Sequence, residues 1–188
     1  MHEYSDRIEF REFVRIKSRP YTRIQLAIEQ SIRNQNDRNI TIWVDRKGGH
    51  GKSTWSYLNS RKGRIFTVPR AEQSATRIID YIGAWYDNEE IILIDIPRAK
   101  SLSPTLAEVL EELKDGDIAS AKYQGTKKFI RGVKVCVTTN KPINYTTYTA
   151  LSQDRWDIHE ITTTGDITKP LPPKKTTRKK TKGSEPTE

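Results

Sequence analysis

Residues 45–55, DRKGGHGKSTW, carry groups that could bind a chain of phosphates. Gly51, Lys52 and Ser53 match the end of the pattern G-x-x-x-x-G-K-[ST]. In that pattern, backbone N–H groups surround phosphate oxygens, the lysine contacts the terminal phosphates and the hydroxyl holds Mg²⁺. Arg46 stands where the first glycine is expected. The residues predict a phosphate-binding loop with an altered beginning, and the alternative is an ordinary glycine turn.

An acid follows a continuous apolar run in the stretch EIILID, residues 90–95. Such a run is typical of a buried parallel strand, which would place Asp95 at the tip of that strand. In P-loop nucleoside triphosphatases an acid at this place helps to hold Mg²⁺. Together, the loop and Asp95 favour an enzyme that hydrolyses a nucleoside triphosphate, although an acid can also simply cap a strand.

The periodicity of apolar residues predicts the elements that would position these groups. Helices are expected at 20–35, 52–59, 71–85 and 104–115, strands at 39–44, 64–68, 90–95, 133–140 and the end of 151–161, and a hairpin at 117–132. Ser103 and Gly116 suit the two ends of the helix at 104–115, with Pro104 at its first position. Residues 1–20 are expected to be irregular. The alternation predicts an α/β fold with a central parallel sheet flanked by helices.

The charge of the chain is concentrated at its end. The formal net charge is +9, and residues 168–188 hold seven basic and two acidic residues. A nucleic-acid partner would therefore contact the body of the protein locally. The tail is predicted to be disordered, and it could serve as a nuclear import signal, a clamp for polyanions or a solubilising segment.

Several classes of protein are excluded by composition. The single cysteine, Cys136, is incompatible with an internal disulfide framework and is expected in the core. The three histidines form no zinc-binding pair. No apolar run approaches the length of a membrane span, so no membrane partner is expected.

Four stretches, in this order, resemble the superfamily 3 helicase domain of replication initiator (Rep) proteins from small circular single-stranded DNA viruses. The similarity is greatest to the nanovirus, alphasatellite and smacovirus type. The stretches are WVDRKGGHGKST (43–54), ILIDIPR (92–98), LKDGDIASAKYQG (113–125), and VCVTTNKP (135–142) followed by LSQDRWDI (151–158). The resemblance covers about residues 39–161. It implies an AAA+-like P-loop NTPase with a short N-terminal helical element and with ATP and Mg²⁺ as cofactors.

The resemblance implies a nucleotide site with defined parts. Its catalytic residues would be Lys52, Asp95, Asn140 and Arg155, and Ser53 and Asp95 would hold Mg²⁺. The nucleotide would be bound by Gly48, Gly49, His50, Gly51, Lys52, Ser53 and Thr54. Asn140 would orient the attacking water, unless it is only a turn residue at a strand end. Arg155 would act as an arginine finger on a neighbouring subunit, unless it forms a surface salt bridge with Asp154 or Asp157.

The hairpin corresponds to the part of these helicases that lines the central pore. Its nucleic-acid-binding residues would be Lys122, Tyr123, Lys127 and Lys128, because lysine pairs with phosphate and an aromatic ring stacks on bases. The alternative is a solvated hairpin with charged edges.

Two departures from the family limit what can be carried over. Ile96 follows Asp95, so the paired-acid form of the motif is absent and the general base is unassigned. Residues 1–38 are too short for the nuclease domain of an initiator and lack its histidine pair, so no nuclease activity is expected of this chain. The expected domains are 1–38 with a short oligomerisation helix, 39–165 as the ATPase, and 166–188 as a basic tail.

The function predicted from these features is an ATP-dependent DNA helicase of rolling-circle viral replication. It would act on single-stranded DNA as a homo-oligomeric ring, with a hexamer as the expected size, and a nuclease-bearing initiator could be its partner. Its location would be the host nucleus, or the cytoplasm of a prokaryotic host. The alternatives are an accessory protein that binds single-stranded nucleic acid with weak ATPase activity, and a small-molecule kinase.

Overall fold

The computed structural model describes residues 11–69, 74–119 and 127–175. The helices are α1 (11–17), α2 (Arg23–Arg33), α3 (Lys52–Arg61), α4 (Ala75–Trp85), α5 (Pro104–Asp115) and α6 (Tyr145–Tyr148). The strands are β1 (Ile40–Asp45), β2 (Ile65–Val68), β3 (Ile91–Asp95), β4 (Asp117–Ala119), β5 (Lys127–Phe129), β6 (Lys134–Thr139), β7 (Trp156–Ile161) and β8 (Ile167–Thr168).

Six of the strands form one sheet in the order β2-β3-β6-β1-β7-β8, and β4 and β5 pair separately. The first five strands of the large sheet are parallel, and β8 joins β7 in the antiparallel direction. This arrangement confirms the predicted α/β class, with a central, mostly parallel sheet and a P-loop between its first strand and the next helix. Since β6 lies between β1 and β3, the carboxyl ends of these three strands meet at one edge.

Helices cover both faces of the sheet and create two apolar clusters. Helices α4 and α5 pack on the face that carries Ile42, Ile94 and Val137, whereas α2 and α3 pack on the face that carries Trp43 and Cys136. Burial raises the pKa of the Cys136 thiol, which supports its predicted place in the core.

Helix α5 begins and ends as predicted. The Ser103 hydroxyl accepts a hydrogen bond from Leu106 N (3.1 Å), Pro104 occupies the first turn, and Gly116 ends the helix in the left-handed conformation with φ 81°. A side chain would also clash at Gly116, because an added Cβ would lie 2.6 Å from Arg131 Cα. Local capping signals therefore located this helix correctly.

Helix α2 differs from the prediction in its start. It begins after Thr22, which forms a capping box with Gln25, and not at Pro20. Its apolar side chains Ile28 and Ile32 are buried against Trp43 of the same chain. These apolar residues thus stabilise the sheet from which the glycine loop emerges, and the role of the helix in oligomerisation stays a prediction.

The remaining predictions about the termini and the hairpin have different outcomes. Residues 11–17, predicted to be irregular, are helical, and Ile167–Thr168, placed in the predicted tail, form a strand. Residues 120–126 of the predicted hairpin and residues 176–188 of the predicted tail lie outside the described residues. Within the described part of the chain, no helix is long and apolar enough to cross a membrane.

Candidate functional site

The predicted site residues at the ends of β1, β3 and β6 come together at the carboxyl edge of the sheet. Asn140, which directly follows β6, donates from Nδ2 to the carbonyl oxygen of Asp45 at the end of β1 (2.6 Å). On the other side of β6, Asp95 accepts a hydrogen bond from Thr138 Oγ1 (2.6 Å). The central position of β6 therefore links the P-loop strand to the acidic strand.

The glycine loop depends on left-handed backbone and on a close contact with Arg98. Gly48, Gly49 and Gly51 have φ values of 80°, 84° and 86°, a region that favours glycine. Arg98 Nη2 donates to the carbonyl oxygen of Lys47 (3.1 Å), and a Cβ on Gly48 would lie 2.4 Å from that nitrogen. Arg98, the last residue of the motif DIPR, thus supports the loop by a direct contact, a role that the sequence analysis did not predict.

Arg46, at the place of the missing first glycine, pairs with an acid of a neighbouring strand. Its Nε donates to Oε1 of Glu160 on β7 (2.5 Å). Arg46 therefore attaches the start of the loop to the neighbouring strand, and the later glycines make the turn.

A fully buried carboxylate organises the loop from below. The side chain of Asp45 is 0% exposed, and it accepts hydrogen bonds from Lys52 Nζ (2.6 Å), His50 Nδ1 (2.9 Å) and Gly48 N (2.7 Å). Burial on its own would raise the pKa of Asp45, but the hydrogen bonds from Lys52, His50 and Gly48 outweigh burial and hold the pKa below its usual value. His50, which was predicted to bind the nucleotide, is half-buried and forms a hydrogen bond with the carboxylate of Asp45.

The N-terminus of α3 faces an open cavity of about 210 Å³ that the loop borders. The cavity is lined by Asp45 and by residues 49–54, which include Lys52, Ser53 and Thr54. Gly51 precedes α3 without a side-chain cap, so the first N–H groups of the helix are available to an anion. The chemistry of this cavity suits phosphate.

The oxygen ligands near the cavity suit Mg²⁺ when phosphate is also present. Ser53 and Asp95 provide a hydroxyl and a carboxylate, the hard ligands that Mg²⁺ prefers, and the ion usually needs substrate phosphates and water in addition. Consistent with that requirement, no group of three His, Cys, Asp or Glu residues in the described ranges could hold a metal ion by itself.

Helix α2 supports the loop from the side. Gln25 Nε2 donates to the carbonyl oxygen of Gly51 (3.0 Å), while its Oε1 accepts from Thr22 N in the capping box. The start of α2 is therefore connected directly to the start of α3. Sequence reasoning missed this role, since the two residues are separated by 26 positions.

Arg155 lies at the opposite, amino edge of the sheet, immediately before β7. Its side chain is 9% exposed and pairs with Glu111 (3.0 Å) and Asp115 (3.1 Å) of α5, and not with Asp154 or Asp157. Its Nε finds no hydrogen-bond partner among the described residues. Since Trp156 pairs with Ile40 at the start of β1, Arg155 cannot reach the P-loop of its own chain.

The described part of the hairpin separates its two lysines. Lys128 shares a side of the hairpin with buried Ile118 and donates to the carbonyl oxygen of Tyr86 (2.5 Å). Lys127 and Phe129 lie on the other, exposed side, with Phe129 77% exposed. The predicted contacts Lys122 and Tyr123 lie outside the described residues.

Comparison with known proteins identifies viral homologues. No family model matches the chain. Over 114 residues it is 31% identical to the Master replication protein of Subterranean clover stunt virus (strain F), a match of 60% of this chain and 37% of the relative. Over 101 residues it is 32% identical to that of Banana bunchy top virus, a match of 53% and 32%. The Rep resemblance is confirmed, and the chain spans well under half the length of these relatives.

A solved structure, that of unliganded Pif1 from Bacteroides sp, also aligns with the chain. The alignment covers 65% of this chain and 32% of the Pif1 chain, with a TM-score of 0.38 and 17% sequence identity. At this TM-score the alignment carries no information about the fold, which rests on the strand order and the glycine loop described above.

Proposed function

We propose that this chain is an ATP-dependent DNA helicase domain of a viral rolling-circle replication protein, of the superfamily 3 type. The observation that carries the proposal is the cavity at the start of α3, where Lys52 and Ser53 lie beside the edge that bears Asp95 and Asn140. The homology to viral replication proteins supports the role in replication.

The phosphates of ATP would occupy the cavity. The N–H groups of residues 49–54 would donate to phosphate oxygens, and Lys52 would contact the β- and γ-phosphates. Ser53, directly, and Asp95, through water, would hold Mg²⁺, which offsets the negative charge of the phosphates when it is bound. Asn140 already donates from Nδ2 to the carbonyl oxygen of Asp45, so its Oδ1 is the atom that would accept a hydrogen bond from the attacking water and orient it.

The site would be completed by a second copy of the chain. Arg155 lies at the edge of the sheet opposite to the P-loop, so it could act only on the nucleotide of a neighbour. Contacts between opposite edges are head-to-tail, and such contacts form a ring when the rotation between neighbouring copies closes. A ring, with a hexamer as the expected size, would place one Arg155 at each nucleotide.

Single-stranded DNA would be bound by the exposed side of the hairpin. Lys127 can pair with a phosphate and Phe129 can stack on a base, and Lys122 and Tyr123 would extend this surface. Lys128 contributes indirectly, since it ties the hairpin to the end of α4. A nuclease that nicks DNA would be supplied by a partner initiator, and the basic tail would direct the complex to the host nucleus.

A second candidate is an accessory protein that binds nucleotide but hydrolyses it slowly. The observation that favours it is the ion pair between Lys52 and Asp45, which occupies the lysine that the phosphates require.

Hydrolysis of ATP with and without single-stranded DNA distinguishes the two candidates. A helicase predicts hydrolysis that rises with DNA and is lost in Lys52→Ala, whereas Lys62→Ala, at the other end of α3, should retain it. DNA-independent, slow hydrolysis in the parent would favour the accessory protein. Equal hydrolysis in Lys52→Ala and the parent would refute both.

A further inference from the structure

We propose that Asp45 is a positioning residue that occupies the P-loop lysine until the nucleotide arrives, so that the phosphate chain binds by displacing a carboxylate. The inference rests on the proposed function, because it concerns the same cavity. Its basis is the 2.6 Å ion pair between Lys52 Nζ and Asp45 Oδ2, in which the acid is 0% exposed and the lysine is 11% exposed. Of the two partners, only Lys52 is in contact with solvent.

The cavity allows Lys52 to leave while Asp45 remains satisfied. Both residues line the cavity, but only the side chain of Lys52 is exposed, so the lysine can turn toward a bound phosphate without opening the core. Asp45 would then keep two donors on Oδ1, namely Gly48 N (2.7 Å) and His50 Nδ1 (2.9 Å). A buried carboxylate needs such donors, because an unpaired one would be costly. The exchange is thus built into the loop.

The arrangement predicts opposite effects on stability and on affinity. Asp45 stabilises the empty loop, and it also competes with the phosphates for the same ammonium group. Removing its charge should weaken the free protein and strengthen nucleotide binding. A carboxylate with a purely structural role would lower both.

The variant Asp45→Asn separates the two effects. Asparagine retains an oxygen that can accept from Gly48 N, but it presents an N–H group or a neutral oxygen to Lys52. We expect a lower melting temperature without ligand and roughly tenfold tighter binding of ATP, the size typical for loss of one charge-assisted hydrogen bond from the competing state. Sodium tripolyphosphate should show the same gain, since only the phosphate chain is involved.

The matched control is Glu29→Gln. Glu29 is another buried carboxylate, which accepts from Trp55 Nε1 (2.8 Å) and Arg64 Nη1 (3.0 Å) away from the cavity. Its loss should lower the melting temperature and leave the affinity for ATP unchanged. If Asp45→Asn binds ATP no more tightly than the parent, the displacement proposal is wrong. If the parent itself does not bind ATP, the proposed function is wrong, which is a distinct result.

A measurement on the parent covers the case in which Asp45→Asn does not fold. The carboxyl ¹³C resonance of Asp45, assigned through the backbone, should shift when tripolyphosphate saturates the protein, because the carboxylate loses its ammonium partner. The Lys52 ammonium signal should shift in the same titration. An unchanged Asp45 resonance at saturation would overturn the proposal.

Discussion

The two edges of the sheet hold their cations in opposite ways. At the carboxyl edge the acid is buried and the cation faces a cavity, since Asp45 is 0% and Lys52 11% exposed. At the amino edge the cation is buried and its acids are outside, since Glu111 and Asp115 are 39% and 62% exposed. We therefore expect Lys52 to leave its partner within one chain, whereas Arg155 would be released only when something moves or replaces the two acids of α5. On the proposals above, the first edge would receive a ligand and the second a partner.

The largest effect is expected from removing the buried cation of the amino edge, Arg155. Arg155→Ala should lower ATP hydrolysis by a factor on the order of 10³–10⁵, the contribution of arginine fingers in related chemistry. The affinity of the isolated chain for ATP should stay unchanged, because Arg155 is remote from its own P-loop. Hydrolysis rates and nucleotide titrations check the two parts.

The control for this variant is Arg38→Ala. Arg38 is an exposed arginine at the same edge, and it pairs with Asp154 (2.9 Å). The Arg38→Ala protein should hydrolyse ATP at the parental rate. Equal rates for the parent and Arg155→Ala would show that the amino edge does not serve catalysis.

A second buried cation at the amino edge should make stability depend on alkaline pH. Lys114 donates to Gln35 Oε1 (3.2 Å), Asn36 O and Val133 O (both 3.1 Å), and burial lowers its pKa from 10.5 to about 8. Because the folded pKa lies below the unfolded one, folding disfavours the proton: the cost is absent above pH 10.5, grows as the pH falls and is complete below about 8.

The variant Lys114→Met removes this dependence. Relative to the variant, the parent should gain about 2–3 kcal/mol of unfolding free energy between pH 7.5 and pH 10. Urea unfolding of both proteins at the two pH values measures the difference, and other titrating groups cancel in the comparison. A constant difference across this range would contradict the lowered pKa.

At the carboxyl edge, the close approach of Arg98 should make Gly48 less replaceable than Gly49. Both have positive φ, but an added Cβ meets Arg98 only at Gly48, and no described atom lies within 4 Å at Gly49. Alanine at a left-handed position costs about 1 kcal/mol, so Gly49→Ala measures that cost alone.

The additional loss in Gly48→Ala should be about 1 kcal/mol, since Arg98 must give up its bond to Lys47 O. Denaturant unfolding of the two variants gives this difference. It should disappear when both are compared in an Arg98→Ala background, and its persistence there would place the clash elsewhere.

The smallest effect on hydrolysis is expected from neutralising the exposed acids of α5. Glu111→Gln combined with Asp115→Asn should lower the free energy of unfolding by about 1–3 kcal/mol, because the amide oxygens can still accept from Arg155 but this buried cation loses its charged partners. If Arg155 must leave these acids to reach a neighbour, hydrolysis should rise or stay equal. A calorimetric scan and an ATPase assay decide this, and a loss of hydrolysis would mean that the acids position Arg155 for catalysis.

Local patterns were enough to predict the elements that carry the site. The apolar strand before the glycine loop and the caps around α5 are short-range signals, and β1, α3 and α5 were predicted within two residues. The parallel order followed from the alternation of strands and helices. Asp95 and Asn140 were therefore expected near the loop, and both lie at the carboxyl edge of the sheet, where the loop begins.

The partners of the charged groups could not be predicted in the same way. In the sequence, Asp45 is only the first residue of the glycine loop, and the fold is needed to show that it accepts hydrogen bonds from Lys52 and His50. Arg155 was assigned alternative partners within two residues, yet its acids lie about 40 positions away on α5. Such pairs depend on strand order and helix packing, which leave no local periodicity.

The central claim is that each nucleotide site combines the carboxyl edge of one copy with the amino edge of the next. Mixing Lys52→Ala protein with Arg155→Ala protein tests it directly, since each lacks a different half of the site. An equal mixture that exchanges subunits should recover about a quarter of the parental hydrolysis, because one interface in four then joins two intact halves in a head-to-tail ring. Activity no greater than that of the separate variants, in rings shown by mass to contain both, would contradict the claim.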